Sequence, residues 1–379
     1  MNVLQICSYF LGSKVHSNLF RHLDSFGVRQ TVFCCTRSGT DGGNNLFDSV
    51  NAQFVIRRTL KGYHRILYHH KVNKTYAELK KTLQPQEYDI VQAASLFADG
   101  VVAYKMFKEY GTPYVVAIRN TDINEFLAVA PHTWALGVKT LLNATRIVFI
   151  SKAPMDKFCR HFLIKKILPA IKDKFVLQPN GIDDFWMDNI WQGDKNMSHN
   201  IIYVGKFDTN KNVLRLIDAV LSLARNYPDI HLHLVGGDGW QERRILKKVD
   251  QNKKYLTYHG KIFDKPTLLK LYRQNSIFAM PSIHETFGLV YIEALTQGLA
   301  VLYTHGQGID GLLDDSIGEP VNALSRKSIE DALNLMMQER NHYQTHQVVD
   351  FEQVRWKTIG AHYMTIYKSI KNGNNQSTV

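Results

Sequence analysis

The stretch from Ser276 to Gly311, SIFAMPSIHETFGLVYIEALTQGLAVLYTHGQGIDG, constrains the fold more than any other part of the chain. The apolar run Ser276–Met280 predicts a buried strand. It delivers the chain into a polar loop holding Pro281, Ser282, His284, Glu285 and Thr286. The small step Phe287-Gly288-Leu289 opens a helix that carries Glu293 and breaks at Gln297-Gly298. A second apolar strand, Leu299–Tyr303, empties into a loop with Gly306, Gly308 and Gly311. This strand, loop, helix, strand, loop order is the repeat of a parallel sheet, which sets ligand loops at the carboxyl ends of strands. On one continuous helix Glu285 and Glu293 would stand about 80° apart, so they do not share a face. The spacing predicts one glutamate on the loop and one in the first turns of the helix, reaching two ends of an elongated polar ligand.

The same alternation runs through the whole chain. In the first half, strands are expected at 3–6, 30–35, 88–93, 113–118, 146–150 and 175–177, with helices at 19–26 and 100–110. After a polar connector, DDFWMDNIWQGDKNMSHN, the pattern restarts with strands at 200–204, 231–235 and 255–259 and helices at 213–227 and 266–273. Strands alternating with helices predict α/β, doubly wound domains, and 379 residues suit two of them. The expected division is a domain over 1–183, a linker over 184–199, a domain over 200–353, a terminal helix over 354–371 and a disordered polar tail over 372–379.

Apolar residues at 45% and charged residues at 21% describe a globular chain with a sizeable core. No apolar run approaches the ~18 residues of a membrane span, and the start, MNVLQICSYF, lacks a signal-peptide pattern. Four cysteines without metal-ligand spacing fit reduced thiols in a cytoplasmic protein. The net charge of +12 implies an anionic partner. It is uneven: residues 1–190 carry 24 Lys+Arg against 15 Asp+Glu, whereas the remainder carries 22 against 19. The first half is where the anion is expected. There, Phe54–Lys74 is basic and aromatic, which fits either an anionic membrane surface or a solvated helix. Ser151–Lys174 is a second basic run with one apolar face.

Three further clusters carry chemistry. Arg119, Asn120, Thr121 and Asp122 follow the strand ending at Ile118 and predict a binding role. Gly12 sits in the loop between the first strand and helix, a single-glycine signal for phosphate. Lys206 and Lys211 flank the loop after the strand at 200–204, beside Gly205, where a helix start and two cations suit a diphosphate. His231 and His233 alternate on a strand, but without a third spaced ligand they do not predict a metal site.

Together these motifs resemble the retaining glycosyltransferases of the GT-B type, family 4 (glycosyl transferases group 1). The loop ETFGLVYIEAL resembles their E-x7-E signature, and Gly205-Lys206 with Lys211-Asn212 and Gln178–Asp183 extend the likeness over most of the chain. The resemblance implies two Rossmann-like domains facing a central cleft, with the C-terminal helix crossing back to the first. It implies a nucleotide-diphospho-sugar donor, UDP- or GDP-linked, and no cofactor or metal. Glu293 would bind the ribose. Glu285, with backbone amides at Phe287, Gly288 and Leu289, would hold the sugar and part of the diphosphate. Lys206 and Lys211 would neutralise the leaving group, and Gly237 and Ile262 would flank the base. Gly12 would face the donor, Arg119 and Asp122 the reacting carbon, and Asn120 and Thr121 the acceptor. Family members often carry a histidine just after the strand that here ends at Ile118, where this chain has Arg119-Asn120-Thr121-Asp122, so its role would pass to Arg119, Asn120 or Asp122; they also often carry a paired glycine where this chain has Gly12.

The leading expectation is therefore a metal-independent hexosyltransferase acting on a glycan or lipid-linked acceptor in surface polysaccharide assembly. It would work in the cytoplasm, peripherally on the inner face of the cell membrane, without nucleic acid. Two readings stand beside it: a sugar-nucleotide epimerase of the same fold, and a non-enzymatic basic protein that binds lipid or nucleic acid.

Overall fold

The computed structural model describes the chain except residues 38, 40–44, 194–197, 314, 340–341, 344–348 and 377–379. The chain divides into two compact units, one of residues 1–150, 154–181 and 356–379, the other of residues 151–153 and 182–355.

The first unit is built on seven parallel strands: β1 Asn2–Ile6, β2 Arg29–Arg37, β3 Ala52–Leu60, β4 Ile90–Ala93, β5 Tyr114–Ile118, β6 Arg146–Phe149 and β7 Phe175–Leu177. Their order is β3-β2-β1-β4-β5-β6-β7. The helices between them are α1 Lys14–Ser25, α2 Tyr68–Thr82, α3 Val101–Tyr110, α4 Trp134–Asn143, α5 Lys152–Arg160 and α6 Phe162–Ile171. Because side chains on a strand alternate between faces, β5 sends Val116 and Ile118 into one apolar cluster and Val115 and Ala117 into another. Both faces of the sheet are thus buried, which explains the near-continuous apolar strands in the sequence.

The second unit begins with the short helix α7 Asp184–Asp188. Its strands are β8 Asn200–Lys206, β9 His231–Gly237, β10 Leu256–Tyr258, β11 Ile277–Ala279, β12 Ala300–Thr304 and β13 Gly318–Val321. They form a six-stranded parallel sheet in the order β10-β9-β8-β11-β12-β13. The accompanying helices are α8 Val213–Leu223, α9 Glu242–Gln251, α10 Lys265–Gln274, α11 Leu289–Thr296 and α12 Arg326–Gln338. In each sheet the strand order reverses once, between β1 and β4 and between β8 and β11. At such a point neighbouring loops diverge and leave a crevice beyond the strand ends.

The last helix, α13 Trp356–Gln376, returns to the first unit. Trp356, Ile359, Tyr363, Tyr367 and Ile370 recur at helical spacing and join the cluster of Val3, Val32 and Val115. Each such burial contributes roughly 1.5–3 kcal/mol, so the helix is anchored by its stripe.

Several expectations need correction. The supposed linker contains α7, whose Trp186 and Met187 are buried, and the units divide at Gly181/Ile182. Hydrophobic burial of Trp186 and Met187 outweighs the polar composition around them. The expected disordered tail is helical to Gln376, with 377–379 outside the described residues. Two strands went unread. β3 is masked by its arginines, and β13 by its Gly-Glu-Pro sequence. Phe54–Lys74 is no single amphipathic helix: it holds most of β3, a 3-10 turn at Gly62–Arg65 and the start of α2.

Candidate functional site

The loops after β8 and β11 meet where the second sheet reverses, and there they are stitched together. The Ile283 amide donates to the Asn210 carbonyl at 2.7 Å. Asn210 Nδ2 donates to the His284 carbonyl at 2.9 Å, and the His284 amide returns a bond to Asn210 Oδ1 at 3.0 Å. Asn212 takes a left-handed conformation, φ 59°, and its Nδ2 donates to the carbonyls of Pro281 at 3.1 Å and Ala323 at 2.7 Å. Lys211, held between these two asparagines, has its Nζ 2.6 Å from Glu285 Oε2.

Glu285 is fixed from several directions. Its amide donates to Gln307 Oε1 at 3.2 Å, its carbonyl accepts from the Gly308 amide at 3.1 Å, and Oε1 accepts from the Thr286 amide at 2.9 Å. Two glycines make room for it. Gly288 caps α11 at φ +74°, and a Cβ there would stand 2.4 Å from the Tyr291 ring. Gly308 sits at φ +55°, and a Cβ would stand 3.0 Å from Glu285 Cγ. Just beyond Gly288 the first amides of α11, those of Leu289 and Val290, precede the Tyr291 amide that bonds the Gly288 carbonyl at 2.9 Å, and they lie at the positive end of the helix dipole. The Phe287 side chain is buried in the core, which leaves its backbone as the part that can face a ligand.

Lys206 ends β8 and is exposed; among the described residues its ammonium forms no ion pair. Gly205 precedes it, and Gly237 ends β9. The following Asp238 pairs with Lys261, beside the half-buried Ile262. Trp240 and Phe263, 77% and 87% exposed, stand on the loops after β9 and β10. Sequence reasoning missed both, as it missed Asn210 and Gln307, which have no signature spacing.

Glu293 lies in the second turn of α11, in different surroundings. Burial raises its carboxyl to about 7, with Asp183 adding to the rise while Lys265 and a hydrogen bond from Trp186 oppose it. Asp183 Oδ2 and Lys265 Nζ are 2.5 Å apart.

In the first unit, the reversal between β1 and β4 holds a buried acidic network. Asp99 Oδ1 accepts from the Ser8 amide at 2.9 Å and from Ser8 Oγ at 2.5 Å, and Oδ2 accepts from Ser95 Oγ at 2.8 Å. Burial raises Asp99 above the usual carboxylate range. Asp122 accepts backbone N–H bonds from Leu96 at 3.1 Å, Phe97 at 3.0 Å and Arg119 at 2.8 Å. Burial pushes its carboxyl up to about 6. The carboxylate expected to face the reacting carbon is therefore sealed and spent on backbone amides, because it ties the turn after β4 to the turn after β5. Arg119 Nε donates to the Ala94 carbonyl at 2.9 Å, while Asn120 is half-buried and Thr121 exposed. His16, on the first turn of α1, was not anticipated; burial and the Arg119 charge lower it to about 3, so its ring stays neutral. The Tyr9 ring covers Gly12, lying 2.6 Å from the place of a Cβ.

His231 and His233 acquire a neighbour that their sequence spacing hides. His233 Nδ1 is 2.9 Å from His259 Nε2, and His231 Nε2 is 2.8 Å from Thr257 Oγ1. Burial lowers His233 to about 4. His233 is thus engaged with His259 and His231 with a threonine hydroxyl, and among the described residues no group of three His, Cys, Asp or Glu could hold a metal ion.

Residues 13–184 match the family described as Glycosyltransferase Family 4, and residues 189–347 match Glycosyl transferases group 1. The chain belongs to the family 4, group 1 glycosyltransferases. Mannosylfructose-phosphate synthase of Agrobacterium fabrum is 34% identical over 28% of this chain and 25% of its own length. The UDP-Gal:alpha-D-GlcNAc-diphosphoundecaprenol alpha-1,3-galactosyltransferase of Escherichia coli is 27% identical over 69% of this chain and 72% of its own. Sucrose-phosphate synthase of Thermosynechococcus elongatus superposes with a TM-score of 0.73 over 98% of this chain and all of that one at 17% identity, a likeness of GT-B fold.

Proposed function

We propose that this chain is a retaining glycosyltransferase that moves a sugar from a UDP- or GDP-linked donor to a glycan or lipid-linked acceptor. The observation that carries the reading is the Lys211–Glu285 pair, fixed at the strand reversal of the second unit beside the start of α11. In the reaction the bond from the anomeric carbon to the diphosphate breaks and the nucleoside diphosphate leaves with the electron pair. The acceptor hydroxyl oxygen bonds to that carbon, and its proton passes to the departing phosphate oxygen. Lys211 and Lys206 stabilise the leaving charge, and preorganised cations of this kind favour the transition state over the ground state. Glu285 holds sugar hydroxyls, Glu293 the ribose, and Gly205, Gly237 and Ile262 border the nucleotide. To the first unit we assign the acceptor, with Arg119, Asn120, Thr121 and neutral His16 as its candidate partners, and Asp122 holds the Arg119 amide in place.

The E. coli relative acts on a lipid-diphosphate-linked sugar by its name, and the first 190 residues here carry the charge excess. These two observations support a lipid-linked acceptor, surface polysaccharide assembly and a cytoplasmic site of action at the membrane. Incubation with a panel of UDP- and GDP-sugars and a lipid-diphosphate sugar tests the reading. A new glycosidic bond with free nucleoside diphosphate, undiminished by EDTA, is expected. Interconverted sugar nucleotides without release would establish the epimerase instead.

A further inference from the structure

We propose that the first unit docks on an anionic lipid bilayer through a face assembled from three separate segments: the turn Gly62–Leu67, the helix-to-helix segment 128–132 and the start of α6. The inference deepens the lipid-linked reading above, on which it rests for its purpose, by naming the surface that would bring the protein to such an acceptor. Ile66, Val129, Phe162, Leu67 and Tyr63 are exposed to 81, 78, 53, 52 and 47%. Single exposed apolar residues are ordinary, but a continuous set rimmed by one sign of charge marks an interaction surface.

Printed contacts supply the continuity. His69 Nε2 lies 3.2 Å from the carbonyl oxygen of His132, and Tyr68 meets the His132 ring edge-on at 6.1 Å between centroids. Trp134 Nε1 donates to the Phe126 carbonyl at 3.1 Å, and the Trp134 ring stands 5.4 Å from that of Phe162. All of these residues belong to the first unit. The turn is also held firmly. The His64 ring is buried, takes the Lys61 amide on Nδ1 at 2.8 Å, and stacks against Tyr63 at 4.3 Å and His70 at 4.9 Å. Ile66 and Leu67 are therefore presented on a preorganised support.

The charge around this face selects the occupant. Lys61, Arg65, Lys157, Arg160, Lys165 and Lys166 are exposed, and within residues 61–70, 124–134 and 157–166 Glu125 is the one exposed acid. Side chains exposed to four-fifths project outward and do not line a groove, so they suit insertion among head groups and not capture of a peptide. Apolar tips entering the acyl boundary, with bases at the level of anionic phosphates, is the arrangement of a peripheral membrane protein. No described helix is long and apolar enough to cross a membrane, so docking of this kind would be peripheral.

The test uses the full chain without donor or acceptor, sedimented with phosphatidylcholine vesicles or with vesicles containing about one third phosphatidylglycerol. Binding is expected only to the anionic vesicles and should weaken strongly at about 0.5 M salt. Ile66→Asp with Val129→Asp should abolish it, and Lys165→Gln with Lys166→Gln should weaken it by roughly fivefold per base removed. Val50→Asp, at another exposed apolar position on the first unit, should leave binding intact and controls for added charge. Retained far-UV circular dichroism excludes misfolding of the variants. Equal binding to neutral vesicles, or undiminished binding of the Ile66/Val129 variant, would overturn the proposal, as would binding to a nucleic-acid oligomer alone. Transfer to a water-soluble acceptor is measured separately. Its loss without loss of vesicle binding would count against the transferase reading and leave the docking face standing.

Discussion

The two units share one construction and use its crevice in opposite ways. Each has a parallel sheet whose order reverses once, and each places carboxylates at that reversal. In the first unit Asp99 and Asp122 are sealed from water and bonded to hydroxyls and backbone amides, so burial holds both carboxyls above their usual range. In the second, Glu285 faces a lysine, a helix start and two left-handed glycines, so its charge is matched by an ion-pair partner from another loop. A carboxylate consumed by its own fold braces the turns around it; one matched by a partly exposed lysine keeps its charge at the loop surface. The same loop position thus holds a carboxylate sealed on backbone amides in one unit and a carboxylate in an ion pair in the other.

Four substitutions break or sharpen that contrast. Glu285→Ala should lower turnover by a hundredfold to a thousandfold, roughly the worth of a preorganised transition-state contact, with little change in Tm; retained turnover would remove Glu285 from the reacting site. Asp122→Ala should instead act on the fold, costing about 3 kcal/mol in denaturant unfolding because three buried amides lose their acceptor. A variant as stable as the parent would show that Asp122 does not brace the first unit.

Glu293→Gln separates the two behaviours within one side chain. The folded carboxyl titrates at about 7 against an ordinary 4.5. Its neutral form is therefore preferred in the fold, and the stability it contributes is full below about 4.5 and is lost as pH rises through 7. The permanently neutral glutamine should match the parent near pH 5 and exceed it by about 2 kcal/mol at pH 8. If Glu293 accepts from ribose hydroxyls, the same change should weaken donor binding at pH 8, which isothermal titration reads directly. Gly308→Ala has the smallest expected effect on stability, about 1 kcal/mol for a left-handed alanine. Its methyl would press on Glu285 Cγ, so turnover should fall further than Tm.

Much of the fold was legible because burial writes itself into a parallel sheet's strands. Runs such as VVAI and RIVFI are apolar on both faces and cannot be confused with half-exposed strands. β3 was hidden because its arginines face partly exposed positions, with Arg57 held by Glu78 at 3.1 Å from a different element. Trp186 was read as linker because the groups it meets, Tyr272 and Glu293, lie far along the chain. The candidate loop around Glu285 stood out in the sequence through its glycines and its spacing to Glu293, and its pairing with Lys211 came from the structure. Asn210 and Gln307, which fix it, were not, since a bridging asparagine looks like any loop residue until its partner is placed.

The sequence by itself determined the alternation of strand and helix, the division into two α/β halves, and the loops that carry charge and glycine. These follow from local periodicity and backbone freedom, which are properties of neighbouring residues. Only the tertiary structure decided which charges are paired, buried or free. It sealed Asp122, joined Lys211 to Glu285 across 74 positions, raised Glu293, and gathered Tyr63, Val129 and Phe162 onto one unit. Electrostatics and desolvation depend on distances between residues remote in the chain, and folding alone sets those distances.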